Sequence, residues 1–149
     1  KIIPECAIST DIITGFCGES EEQHQDTLSI MDYVKYDLAY MFKYSERPGT
    51  LAEKKFKDDI PEEIKSRRLQ EIISKQLEHS LLKNTEDIDK EFKVLVEGIS
   101  KKSDDFIFGR TDQNKVVIFP KGHYQKGDYV NVKVNRCTSA TLFGEAIEK

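Results

Sequence analysis

The sequence contains no tryptophan, only three cysteines, and no apolar run near the roughly eighteen residues that a membrane-spanning helix needs. The last absence excludes a helical membrane protein. Cys6, Cys17 and Cys137 are odd in number and far apart, which fits neither a disulfide framework nor a zinc site of the C-x-x-C kind. They read as free thiols in a reducing compartment, and the expected location is cytoplasmic. The opening Lys1-Ile2-Ile3-Pro4 carries neither an initiator methionine nor a charged-then-apolar leader, so no export signal is read there and a trimmed start is expected. An excess of positive charge is also missing, because the net charge of −4 argues against a globally basic nucleic-acid binder. The average hides an asymmetry. Residues 1–90 carry 13 of the 23 basic and 19 of the 27 acidic side chains, a net of −6, which leaves 10 basic and 8 acidic, net +2, in 91–149.

What is present alternates in period. Ala7–Thr14 is short, rich in β-branched residues and bounded by turn residues, and predicts a strand largely buried on both faces. After Gly15-Phe16-Cys17-Gly18, Ser20 and Gln23 form a capping-box signature. Leu28, Met31 and Val34, with Ile30 broadening the stripe, predict a helix of about four turns. Asp37–Tyr44 predicts a second strand, so the order is that of a βαβ unit in a parallel sheet. One such unit cannot satisfy its own edges, and further strands are expected upstream. From Asp59 as N-cap, with Pro61 in the first turn, a helix is predicted to about Leu82. Its apolar stripe is Ile64, Leu69, Ile72, Ile73, Leu77 and Leu81, and its polar face with Lys65, Arg67 and Arg68 reads as solvated. Beyond Asn84 the period becomes two. Phe92 to Val96, Phe106 to Phe108, Val116 to Phe119, Tyr129 to Val134 and Thr141 to Ala146 predict five short antiparallel strands of a small OB-like barrel, which would remove most exposed edges. The fold class expected is α/β followed by all-β, with residues 1–83 as one part, including the linking helix at about 59–82, and 84–148 as the other.

Three places could hold chemistry. Thr14–Glu19 lies at the carboxyl end of a parallel strand, where glycines let backbone approach a ligand and a helix N-terminus offers N–H groups to an anion; the same two glycines also suit a plain strand-to-helix turn. Tyr44–Thr50 follows the second strand, and Arg47 there could clamp a carboxylate or phosphate, or sit in ordinary surface ion pairs. In the basic part, Arg110, Lys115, Lys121, Lys126, Lys133 and Arg136 are interleaved with Phe106, Phe108, Phe119, His123 and Tyr124, a mixture suited to phosphates and unpaired bases. Strand alternation buries about half of those aromatics. A nucleophilic role for Cys17 would need His24 turned back toward it.

Four stretches in this order resemble the MiaB-type tRNA methylthiotransferases of the radical S-adenosylmethionine class. They are residues 10–22 (TDIITGFCGESEE), 40–52 (YMFKYSERPGTLA), 94–98 (VLVEG), and 108–111 (FGRT) with 114–117 (NKVV). The resemblance runs over nearly the whole chain. It implies the end of a TIM-like radical barrel followed by a TRAM domain, a β-barrel that binds RNA. The implied reaction of the full enzyme adds a methylthio group at carbon 2 of isopentenyladenosine beside the tRNA anticodon, with S-adenosylmethionine and two 4Fe–4S clusters as cofactors. Neither the C-x-x-x-C-x-x-C motif nor the other cluster cysteines occur in this chain. The resemblance therefore implies no metal ligand and no catalytic residue here, and an inactive chain by itself. It places Ile13, Gly15, Phe16 and Arg47 by the cofactor, and Phe106, Arg110, Asn114, Lys115 and Lys121 on the surface that meets the anticodon stem-loop. The family usually has proline at position 17 and an aromatic residue at position 24. The full enzyme is expected to be monomeric, and residues 1–55, with their truncated sheet, to be poorly stable or to associate with another copy. Two other readings stay open: a stand-alone RNA-binding adaptor, and a sister enzyme acting on threonylcarbamoyl-adenosine tRNA or a ribosomal protein.

Overall fold

In a computed structural model, which describes residue 3 and residues 6–101 and 103–147, the chain forms two compact units, one of Ile8–His79 and the other of the residues before Ile8 together with those from Ser80 onward. In the first, β1 (Ser9–Thr14) and β2 (Leu38–Lys43) run parallel, with Ser9 opposite Leu38 and Thr14 opposite Lys43. Between them α1 (Glu21–Val34) starts at Ser20, whose hydroxyl accepts the Gln23 N–H while the Gln23 side chain accepts the Ser20 N–H. The capping box is thus formed as predicted. α1 ends at Lys35 in the left-handed conformation, and its buried residues are His24 and Met31. Ile30 is 49% exposed and lies outside the packed stripe, since the face set by His24 and Met31 points away from it. A single turn, α2 (Leu51–Lys55), begins at Thr50 and was not legible in the sequence.

β1 is not buried on both faces. Thr10, Ile12 and Thr14 are at least half-covered, but Ile13 is 59% exposed, as are Tyr40 (56%) and Phe42 (55%) on β2. The reason is that the sheet has two strands. A parallel sheet is covered on both faces only when helices or further strands lie over each.

α3 (Glu62–Thr85) corrects three expectations. Asp59 does not cap it: the carbonyl of Pro61 accepts the N–H groups of Ile64 and Lys65, and the Asp59 carboxylate accepts the Gly18 N–H at 2.8 Å. The helix runs three residues past Leu82. Its packed face in the first unit is Lys65, Arg68, Ile72, Gln76 and His79, whereas Leu77 is 51% exposed. Lys65 and Arg68, expected in solvent, are 3% and 4% exposed. Charged groups tolerate such burial only when paired, and partners are supplied as described below.

In the second unit β3 (Glu91–Ile99), β4 (Phe106–Arg110), β5 (Val116–Pro120), β6 (Tyr129–Cys137) and β7 (Leu142–Ala146) close a barrel in the order β3-β4-β5-β7-β6. Four pairings are antiparallel, but β5 and β7 are parallel, with Ile118 opposite Phe143. Five strands in a ring cannot alternate direction all the way round. The all-antiparallel barrel expected from the strand count must therefore carry a parallel pair. The core is Val94, Val96, Ile107, Val117, Phe119, Val130, Val132, Val134 and Leu142, the inward members of a period-two pattern. Two corners pinch the barrel. β3 is bulged between Val96 and Gly98 and β6 between Val134 and Arg136, and across from these bulges Gly109 and Gly144 sit where a Cβ would lie 2.2 Å from the carbonyl oxygens of Leu95 and Lys133. Below the barrel the buried Asp87 accepts from Lys115 Nζ at 2.5 Å and from Lys90 Nζ at 3.0 Å, and Asn84 donates to the Thr138 carbonyl.

Candidate functional sites

The turn after β1 is held by one carboxylate. Glu19 Oε2 accepts the Gly15 N–H at 2.6 Å, the Thr14 hydroxyl at 3.2 Å and Arg68 Nη1 at 2.7 Å. The Gly18, Glu19, Ser20 and Gln23 amides are likewise bonded within the turn or to Asp59. These N–H groups are spent on the fold, so the anion cradle that the glycines suggested is filled by the protein's own acceptors. Gly15 is required on two counts: its φ is +77°, and a Cβ would lie 2.4 Å from Lys65 Cγ.

From Arg68 a charge network spreads along α3. Arg68 Nη2 also reaches Glu21, Arg67 bridges Glu21 and Glu71 at 2.7 Å each, and Glu71 meets the wholly buried His24 at 2.7 Å. Lys65 Nζ bonds both oxygens of Asp58, and Asp32 receives Lys75 at 2.6 Å and His79 at 3.1 Å. His24 is therefore committed to Glu71 and does not serve Cys17. Glu21, His24 and Glu71 also form the one metal-like grouping of acidic and imidazole ligands among the described residues. Arg67 and Arg68 already pair with its two carboxylates. The sequence signal for this network was present in the acidic residues at 19 and 21 and the basic ones at 67 and 68, but only tertiary packing pairs positions nearly fifty residues apart.

Acid should open the network. Hydrogen bonding to Arg67 holds the Glu21 carboxyl down at about 2, Lys75 lowers Asp32, and His24 lowers Glu71. Folded values below the ordinary ones mean that the stabilisation is fully present above about 4.5 and is lost as pH falls from there toward about 2. Hydrogen exchange measured down this range should show α1 and the start of α3 losing protection before the barrel strands. Equal loss in both units would refute it.

Ile13 and Arg47 do come together. They line a hollow of about 720 Å3 with Asp11, Tyr40, Phe42 and Ser45, on the uncovered face of the two-stranded sheet. Phe16 is turned elsewhere, with its ring edge-on to Tyr44 at 4.9 Å and near Phe56 at 6.1 Å. Burial, and then the side chain of the neighbouring Cys17, push the Tyr44 phenol above its ordinary range.

On the barrel the five expected contact residues split into two groups. Phe106 pairs with Pro120, next to Lys121, at one end of the β4–β5 hairpin; Arg110, Asn114 and Lys115 are at the other, about 13 Å away at ~3.3 Å per residue. Phe106 is 40% exposed and Lys121 is exposed. Arg110 is bonded to Glu97 and to Asn114, whose φ of 61° shapes the turn, and the Lys115 ammonium is held by Asp87. Two cation–aromatic pairs were not foreseen: Lys93 Nζ lies 4.5 Å from the Tyr129 ring centre, and the Arg136 guanidinium 3.9 Å from that of Phe143. Only the strand register brings their members together. Among the described residues no helix is long and apolar enough to cross a membrane.

Comparison with known proteins matches residues 88–147 to the TRAM domain. Over nearly its whole length the chain is similar to proteins named tRNA-2-methylthio-N(6)-dimethylallyladenosine synthase. The one from Amoebophilus asiaticus is 58% identical over 95% of this chain and 29% of its own length. That from Christiangramia forsetii is 58% identical over 99% and 31%, and that from Parabacteroides distasonis 54% over 100% and 33%. The chain thus spans about a third or less of these relatives.

Proposed function

We propose, from the premise that this chain belongs to the methylthiotransferase family and carries its TRAM domain, that it is the RNA-holding part and one wall of the reaction chamber of a tRNA-modifying enzyme. The whole enzyme would add a methylthio group at carbon 2 of isopentenyladenosine next to the anticodon. Residues 84–148 would hold the anticodon stem-loop, and residues 1–83 would complete a larger α/β barrel. The observation that carries this is the uncovered apolar face of β1 and β2, with Ile13, Tyr40 and Phe42 all more than half exposed beside Arg47. A face of that kind suits the inside of a barrel whose other strands lie elsewhere in the protein.

S-adenosylmethionine fits the residues of that hollow. Ile13, Tyr40 and Phe42 offer apolar surface to a planar base, and Arg47 offers a fork to a carboxylate. When bound, it would supply the radical and the methyl group. The two 4Fe–4S clusters do not fit this chain's own cysteines, since Cys6, Cys17 and Cys137 are free and not grouped. Their ligands would come from the rest of the enzyme. What this chain's residues do is orient and exclude: Glu19, fixed by Arg68, sets the course of the turn that follows Ile13, and the hollow's apolar lining sheds water.

The chain should bind a labelled anticodon stem-loop weakly, with affinity falling steeply as salt rises, because Lys and Arg side chains act by releasing counterions. Titration at 50 and 200 mM salt, conditions set on the order of the usual comparison, tests this. Absent or salt-insensitive binding would reject the RNA-holding role.

A further inference from the structure

We propose that an outward row across four strands of the barrel, Phe108 on β4, Ile118 on β5, Phe143 on β7 and Arg136 on β6, is a track for two or three unpaired RNA nucleotides. The proposal deepens the RNA-holding role and rests on it. The row is fixed by register: Phe108 is opposite Ile118, Ile118 opposite Phe143, and Phe143 opposite Arg136. Each flanking residue on the first three strands (Ile107 and Gly109, Val117 and Phe119, Leu142 and Gly144) is buried, so the row faces out. Three strand spacings of about 4.8 Å make it roughly 14 Å long, room for a short run of bases and too little for a duplex face.

Each member has a distinct suitability. The Phe108 ring lies over Gly98, where a side chain would meet its Cε1 at 3.4 Å, so the glycine leaves space for the ring to lie against β3. Phe143 is half-buried and carries the Arg136 guanidinium 3.9 Å from its centre. The bulge between Val134 and Arg136 is what brings that arginine opposite the ring. Arg136 is exposed and has no carboxylate partner among the described residues. Glu145, the next outward residue on β7, is opposite Lys133 instead. A stacked guanidinium with free N–H groups is preorganised for a phosphate, and aromatic faces at strand spacing accept bases whatever their sequence. The cations of the β4–β5 turn are less available, since Lys115 is held by Asp87 and Arg110 by Glu97 and Asn114.

The test uses the 149-residue chain, a fluorescein-labelled single-stranded RNA octamer, the same octamer in a duplex, and the anticodon stem-loop, read by anisotropy. Phe143→Leu keeps the apolar volume and loses the stacking face; it should weaken octamer and stem-loop binding about fivefold or more. Phe143→Tyr should restore it. Arg136→Gln, at an exposed position, should weaken binding and lower the salt slope by about 0.7. Unchanged thermal unfolding establishes that the variants are folded; should Phe143→Leu unfold, Arg136→Gln decides. Binding by the unaltered chain with both variants within twofold of it would overturn the track and leave the RNA-holding role standing. Equal or better binding of the duplex would also overturn it. No binding of any RNA by the unaltered chain would remove the role and the track together.

Discussion

Replacing Arg68 with leucine is expected to destabilise the Ile8–His79 unit by about 3–5 kcal/mol, the usual cost of breaking a buried ion pair from one side, and to leave the barrel folded. The Arg68 side chain is 5% exposed and its partner Glu19 14%, so water cannot take over the lost contact. Nη1 donates to both the carboxylate and the carbonyl of Glu19, and Nη2 reaches Glu21. Without the guanidinium, the Glu19 carboxylate keeps the Gly15 N–H and the Thr14 hydroxyl but has no counter-charge in a low-dielectric site. Arg68→Lys keeps the charge and loses the fork, and should fall between leucine and the unaltered chain. Adding Glu19→Gln to the leucine variant should recover part of the loss, because no buried charge is then left alone. Two units need not unfold together, so residue-level hydrogen exchange is the measurement. A leucine variant in which β1 and α1 stay as protected as before would contradict the assignment of Arg68 as the anchor.

Gly109→Ala and Gly144→Ala should each cost the barrel about 3 kcal/mol or more, at the upper end for overpacking. Neither glycine needs a positive φ, so the penalty is steric. The new methyl would meet a strand carbonyl at 2.2 Å and a valine Cγ1 at 2.6 or 2.7 Å. A carbonyl within a strand cannot swing aside as a side-chain tip can. Denaturant unfolding followed by exchange at the core valines checks it; a loss below about 1 kcal/mol would mean that the bulged corners yield more readily than their geometry implies.

The barrel strands were legible because alternation of Val94 and Val96 with Lys93 and Leu95 is a local signal that burial confirms. The capping box at Ser20 was legible for the same reason. α3 was misjudged because its leucines make the stronger stripe by composition, whereas the packed face is chosen by carboxylates on α1 and the preceding turn. A helical wheel cannot reveal that Arg68 has a partner at position 19. Nor could the strands be joined into a parallel closing pair before the order around the ring was known. Of the site residues, Ile13 and Arg47 share one hollow, while the pairing of Phe143 with Arg136 depends on a bulge that no short motif marks.

The network on α3 also bears on how such a sequence can drift. Glu19, Glu21, Arg67, Arg68, Glu71 and His24 are linked so that each has its charge or proton answered by another. At the buried pair of Arg68 and Glu19 an isolated replacement leaves the other charge stranded, and a compensating second replacement relieves it. Lineages should therefore exchange Glu19 and Arg68 together, while the exposed Leu77 and Ile30 wander freely.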